Sequence, residues 1–329
     1  MNTLIVIPTL NEARHIAQVL SAIEPFAVSQ DACVVVADGG STDATCSIVR
    51  ETAADAPWLH LVDNPGRYQS AAVNLAVETF GDTAEWLIRM DAHSSYPPDF
   101  CATLIREAET TDAASVVVTM YAKGNSTFQQ IAAAAQNSRF GNGASAHRNR
   151  TEGAWVDHGH HALMRLDAFR AIGGYDPSFT HNEDAEFDYR LALAGYRIWL
   201  SARTEIEYFP RNSLRGVMRQ YFLFGRGRAR NLAKHQARPA RRQKIVAALA
   251  PALALALLSP LNWIFDVPLL AWVAACVVAG LMIARDLRQP RCVFAGPVAG
   301  LMQLAWSAGY WVQTLCARLA GAFRLRGEI

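Results

Sequence analysis

From Thr3 to Val118 short β-branched runs alternate with stretches of helical periodicity, and this alternation restricts the fold more than any other feature. Strands are predicted at 3–8, 33–37, 59–62, 86–90 and 114–118. Helices are predicted at about 12–23, after Ser41-Thr42-Asp43, near 69–79 and near 98–109. The strand candidates are short runs dominated by β-branched and apolar residues, as expected of strands covered on both faces. A mostly parallel sheet with helices on both sides follows, so the fold class is α/β.

In open parallel sheets ligands bind beyond the carboxyl ends of the strands. Pro8-Thr9-Leu10-Asn11-Glu12 ends the first strand, Asp38-Gly39-Gly40-Ser41-Thr42-Asp43 the second, and Asp91-Ala92-His93 a later one. Three polar clusters thus converge on one edge. Glycines beside Asp38 admit a closely approaching ligand, and its carboxylate can accept a hydrogen bond from a base or ribose. The alternative is a turn capped by Ser41 or Thr42. Asp91 and His93 can aim an oxygen and an imidazole nitrogen at one divalent ion, the alternative being a capped loop.

Beyond residue 120 the pattern weakens. Tyr121 to Glu152, with glycines at 124, 141 and 143, reads as a mobile segment holding a helical patch at 131–136. Ala162 to Ala194 reads as two helical pieces split by Gly173-Gly174-Tyr175-Asp176, and Ile198-Trp199-Leu200 as a short strand. His158, His160 and His161 offer metal ligation, acceptor contacts or plain packing.

From Arg211 to Lys244 eleven Lys and Arg occur with no Asp or Glu. Such a run repels itself unless it meets an anionic surface. Leu214, Val217, Met218, Tyr221, Phe222 and Phe224 form an apolar stripe among the arginines, as in an interfacial amphipathic helix, or else an ordinary surface helix. Three uncharged stretches follow, 245–265, 267–284 and 292–317, each near the ~20 residues that cross a bilayer. Prolines at 251, 260 and 268 place a hairpin near Pro260 to Pro268. The basic linker 285–291 belongs inside, giving an in-out-in path for the first two spans. A third crossing puts Arg318, Arg324 and Arg326 outside, so a re-entrant or interfacial third segment stands as the alternative. The domains expected are 1–210, 211–244 and 245–329.

With 31 Lys+Arg against 29 Asp+Glu, overall charge makes no case for a nucleic-acid partner, and 51% hydrophobic residues exclude a disordered chain. Six cysteines without a C-x-x-C pair indicate neither a zinc knuckle nor a disulfide framework, and a reducing compartment is expected. Leu4-Ile5-Val6-Ile7 is too short for a signal peptide, which places the amino-terminal part in the cytoplasm.

V-I-P-T-L-N-E, V-V-A-D-G-G-S-T-D-A-T, D-A-H and H-N-E-D-A-E-F-D together resemble glycosyltransferase family 2 on a GT-A nucleotide-sugar-binding fold. N-P-G-R-Y-Q-S-A-A-V-N, D-H-G-H-H-A-L-M-R and Q-Y-F-L-F-G-R-G-R-A-R resemble its membrane-associated, succinoglycan-type glucosyltransferases. The resemblance implies that Pro8, Thr9 and Glu12 hold the nucleoside, that Asp38 reads the uracil edge, and that Arg67 lies near the base or diphosphate. Asp91 and His93 match the family's D-x-D, with His93 in place of the metal-binding carboxylate. An imidazole suits Mn²⁺ better than Mg²⁺. Asp184, in Glu183-Asp184, matches the acceptor-deprotonating aspartate. Read alone, these acids simply complement a helix dipole.

Glu183, His158, His160, His161, Arg226 and Arg228 are candidates for acceptor or diphosphate contacts. Leu223 stands where the Q-x-x-R-W of processive synthases has arginine, which disfavours processivity. The implied activity is inverting transfer of a hexose, with UDP-glucose as donor, a polyprenyl-diphosphate-linked oligosaccharide as acceptor and exopolysaccharide assembly as purpose. The setting is the cytoplasmic face of a bacterial inner membrane, among membrane lipids. A non-catalytic nucleotide-binding scaffold, or a transferase of another sugar to another acceptor, is the rival reading.

Overall fold

The structure is a computed structural model that describes residues 2–141 and 152–326, with side chains to residue 319. The first elements are β1 (Thr3–Thr9), α1 (Ile16–Ser29), β2 (Cys33–Asp38), α2 (Thr45–Ala53), β3 (Leu59–Asp63), α3 (Gln69–Phe80), β4 (Trp86–Arg89) and α4 (Phe100–Thr111). Next come β5 (Ser115–Ala122), α5 (Thr127–Asn137), β6 (Ala154–Val156), β7 (His160–Arg165), α6 (Leu166–Ala171), α7 (Glu183–Leu193) and β8 (Ile198–Tyr208). Then follow α8 (Leu214–Lys234), α9 (Arg241–Ala247), α10 (Leu249–Ala254), α11 (Val267–Leu287) and α12 (Ala295–Arg326). They form two compact units, residues 1–121 with 146–208, and 122–145 with 209–329.

In the first unit the sheet order is β3-β2-β1-β4-β7-β5-β8-β6. β3, β2, β1 and β4 are mutually parallel, as predicted. Strand residues alternate between two apolar layers, the period-two geometry of a pleated strand. Ile5, Ile7, Val34, Val36 and Ile88 pack with Leu20 of α1 and Leu104 of α4. Leu4, Val6, Val35 and Leu87 pack with Val73 of α3, Phe169 of α6 and Phe187 of α7. Being covered on both faces is why these strands are apolar throughout.

Three expectations are corrected here. The helix predicted from Ala162 begins as strand β7, antiparallel between β4 and β5, with Leu163 opposite both Ile88 and Val116. Pairing on both edges overrides the helical propensity of Ala-Leu-Met-Arg. The short strand at 198–200 extends to Tyr208. The predicted helix from residue 12 starts at Ile16, because residues 12–15 form turns behind the β1 cluster.

In the second unit Ala132 and Ala135 of α5, Val217 and Tyr221 of α8, and Val298, Ala299 and Met302 of α12 share one core with Ile283 of α11. Two helical segments are long and apolar enough to cross a membrane, Trp263–Leu287 and Pro290–Leu319. They contain the predicted spans 267–284 and 292–317. The predicted span 245–265 is not one helix but α10 followed by 3-10 turns at Leu255–Leu258 and Trp263–Asp266. Pro260 lacks the amide a continuous helix would need there. The expected mobile segment contains α5, around its predicted patch; residues 142–151 lie outside the described residues.

Candidate functional site

β1 and β2 pair in register so that Thr9 stands beside Asp38. Thr9 and Ser41 hydroxyls donate to Asp38 Oδ1 at 3.2 and 2.5 Å, and the Gly40 and Ser41 amides donate to Oδ2 at 2.9 and 2.7 Å. Burial pushes this carboxyl up, but these donors outweigh it and hold it below the ordinary range. Reading a uracil edge, the role expected of Asp38, requires a spare acceptor site. Three of its donors come from its own loop and one from Thr9 of β1, so Asp38 shapes the turn. Arg67, with φ 63°, presents its backbone to that turn: a Cβ at Gly39 would lie 2.9 Å from the Arg67 carbonyl. The exposed Arg67 side chain thus lies beside the carboxyl end of β2. Pro8 is half-buried within β1.

At Glu12, His93 Nδ1 donates to Oε1 at 2.9 Å. The Glu12 amide bonds Thr45 Oγ1 at 2.8 Å, which fixes the backbone between the first two clusters. His93 keeps 40% of its side chain exposed. Asp91 is buried, and its turn is clamped by Tyr96, whose hydroxyl accepts from the Asp91 amide at 2.5 Å and donates to its carbonyl at 3.1 Å.

Around the Asp91 carboxylate lie Arg89 Nη2 at 3.7 Å, His160 Nε2 at 3.5 Å and Gln69 Nε2 at 3.4 Å. Burial raises this carboxyl, and Arg89 above all outweighs that and holds it below the ordinary range. His160 is held neutral, pushed down to about 4 chiefly by burial and by Arg89, against the pull of Asp91.

Arg89 was not anticipated, although an arginine between Ile88 and Met90 in an apolar strand was a signal. It is 5% exposed, and its Nη1 lies 3.6 Å from Glu183 Oε1. One guanidinium therefore joins the end of β4 to the start of α7. Asn182, in left-handed conformation at φ 61°, precedes that helix. Asp184 Oδ1 accepts the Ala185 amide at 2.7 Å. Burial raises Asp184, but His158, His161 and Arg89 outweigh it and hold it far below the ordinary range. Glu183 is shifted up by burial and by Asp184.

Behind this pair Asp188 accepts from His158 Nδ1 and His161 Nε2, both at 2.7 Å. His161 Nδ1 bonds the Tyr175 hydroxyl, and Asn74 pins Tyr175 through its Oδ1 and Nδ2 at 2.9 and 2.7 Å. His161 is fully buried with both nitrogens engaged, which corrects its candidacy for acceptor or diphosphate contact. His158, His160 and Glu183 line the same neighbourhood. Arg226 and Arg228 belong to the second unit, where Arg226 donates to Gln313 Oε1 at 3.2 and 3.1 Å.

The sheet edge thus carries an ionised Asp91 beside a solvent-reaching His93, and an ionised Asp184 at a helix start, joined through Arg89. Such a pair of centres can hold a cation at one point and take a proton at another.

Residues 4–173 match the family model described as glycosyl transferase family 2. The chain is 51% identical over 314 residues, 95% of either chain, to the "Succinoglycan biosynthesis protein ExoA" of Rhizobium meliloti (strain 1021). Among solved structures, the Pyrobaculum calidifontis mannosyltransferase PcManGT, in complex with GDP-Man and Mn2+, superposes with TM-score 0.58 at 21% identity. That match covers 93% of this chain and 86% of the other. S. aureus TarS 1–349 superposes with TM-score 0.50 at 14% identity, over 95% and 92%. At these identities the two structures speak for the fold, which is GT-A-like, while the sequence matches carry the assignment: the chain belongs to glycosyl transferase family 2.

Proposed function

We propose that this glycosyltransferase of exopolysaccharide biosynthesis moves a single hexose, glucose from UDP-glucose, onto a polyprenyl-diphosphate-linked oligosaccharide with inversion. The observation that carries the chemistry is the Asp91–Arg89–Glu183 relay, with ion-pair distances of 3.7 and 3.6 Å, which ties the donor end of the sheet to Asp184. Asp184 is the base. Ionised through the imidazoles of His158 and His161 and through Arg89, it accepts the proton of the acceptor hydroxyl as that oxygen attacks the anomeric carbon. One displacement, with no covalent intermediate on the protein, inverts the centre.

Thr9 and Arg67 border the nucleotide, and Asp38 holds the loop that receives it. A divalent ion, Mn²⁺ in preference to Mg²⁺, would be held by Asp91 and His93 as part of an octahedral shell. Among the described residues no group of three metal-binding side chains forms, so donor phosphates complete the shell. Such an ion supplies Lewis-acid stabilisation of the departing diphosphate. The carboxylate on His93 Nδ1 is the outer partner a ligating imidazole requires.

The acceptor reading draws on the basic stretch 211–244 and on the apolar segments after it, which support a setting at the cytoplasmic face of the inner membrane. Incubating membranes that contain the protein with a panel of labelled nucleotide sugars tests the whole reading. Label from UDP-glucose alone should enter the lipid-extractable fraction. Water-soluble product only, or label from a different donor, refutes the acceptor or the sugar respectively.

A further inference from the structure

The apolar helices of the second unit are bound to a helix that cannot enter a bilayer. A side chain at Gly225 would collide with the Trp306 carbonyl, and one at Gly309 with the Phe222 carbonyl. Arg226 bonds Gln313, and Val217 and Tyr221 share a cluster with Ala299 and Met302. Contacts therefore extend from Val217 to Arg226 on α8 and from Ala299 to Gln313 on α12, so the two helices lie side by side. On α11, Gly280 abuts Val293, Cys276 abuts Gly296, and Trp272 and Cys276 abut Gly300. Here the contacts advance in opposite senses, so α11 folds back along α12. The three helices share one direction.

Any orientation that stands α12 across a bilayer stands α8 across it too. α8 carries Arg215, Arg219, Arg226, Arg228, Arg230 and Lys234. Its longest uncharged stretch, 220–225, rises about 9 Å at 1.5 Å per residue, against a hydrocarbon core of about 30 Å. Crossing would put arginines in hydrocarbon. Yet the unit presents apolar surface: Leu257, Leu261 and Trp263 are 81%, 78% and 74% exposed, and Leu270, Val278 and Leu281 continue that surface along α11.

We propose that the second unit is monotopic. It embeds the apolar surface of residues 255–281 in one leaflet and keeps α8, α11 and α12 near the membrane plane. The α8 arginines lie among anionic headgroups, the partner that a run of eleven cations without an acid complements. Both apolar helices then stay on one side, unlike the spans that their composition suggests. This rests on the membrane reading above.

The test uses the full-length chain bound to sealed vesicles with or without phosphatidylglycerol. Trypsin cleavage after Arg238, in the exposed connection after α8 and opened to the enzyme by Pro239→Ala because trypsin does not cut before proline, marks the accessible face. Membrane-impermeant maleimide then probes Gln289→Cys, in the turn before α12, and Arg318→Cys near its end, with labelled peptides mapped by mass spectrometry. Labelling of both positions from the Arg238 face is expected. Binding should be at least about tenfold tighter with anionic lipid and should need detergent for release. Either cysteine labelled only after permeabilisation, in vesicles cut at Arg238, overturns the in-plane orientation and leaves the membrane reading standing. A chain that stays in the supernatant with both lipids removes the membrane reading itself, and this inference with it.

Discussion

His93 Nδ1 donates to Glu12 Oε1 across 2.9 Å, joining the ends of β4 and β1, which lie 81 residues apart in the chain. A carboxylate on one ring nitrogen fixes the imidazole tautomer, so that Nε2 is the nitrogen that would meet the proposed metal ion.

Metal affinity should follow this pair. Glu12→Gln is expected to weaken Mn²⁺ binding in the presence of UDP by about 10–100-fold, and His93→Ala by more. Calorimetric titration of Mn²⁺ into the UDP complex measures both. Wild-type affinity in His93→Ala would mean that the ion is held elsewhere.

Asp184→Asn should lower transfer by about 10²–10⁴-fold and leave UDP affinity nearly unchanged, because an amide keeps the shape but accepts no proton. Steady-state rates with equilibrium UDP binding separate the two. Retention of more than about a third of the activity would remove Asp184 from the role of base.

Asp188 carries a pH-dependent share of stability. Burial raises its carboxyl, and His161 and His158 more than reverse this, so its folded value lies below the ordinary one. The stability it contributes is present above the unfolded value of about 3.9 and is lost as pH falls through the folded value. Asp188→Asn should cost about 1–3 kcal/mol at neutral pH, because the amide keeps one acceptor oxygen for two imidazoles and turns an NH2 donor toward the other. It should also flatten the decline of stability below about pH 4. Denaturant titrations at neutral and acid pH check this, and an acid slope equal to wild type would refute it.

Arg89 compensates Asp91 and Glu183 from a site that is 5% exposed. Arg89→Met is expected to destabilise the fold by about 3–5 kcal/mol, because it strands buried carboxylates. Adding Glu183→Gln removes one of them and should recover about 1 kcal/mol or more of coupling. Strict additivity in this cycle would show that the two residues do not interact.

The parallel half of the sheet was legible in advance. Its strands are covered on both faces, so Leu4 to Ile7 and Val34 to Ala37 had to be apolar, and the polar residues of the site had to fall at their ends. Motif spacing likewise located Asp91, His93 and Asp184. β7 was not legible, because its pairing with β4 and β5 comes from residues more than 40 positions away, and local propensity pointed to helix. Nor did local pattern show that Asp38 accepts from Thr9 as well as from its own turn, or that Arg89 and the Asp188 imidazoles surround the carboxylates.

Local chemistry, which residue types sit where along the chain, was enough to determine the α/β alternation, the family motifs and the apolar, basic tail. Which of those residues share a proton, and whether an apolar segment can cross a bilayer, depends on partners distant in the chain. His93 finds Glu12 and α12 lies against α8 only after folding, because hydrogen bonds and desolvation act through space at a few ångströms, whatever the separation along the backbone.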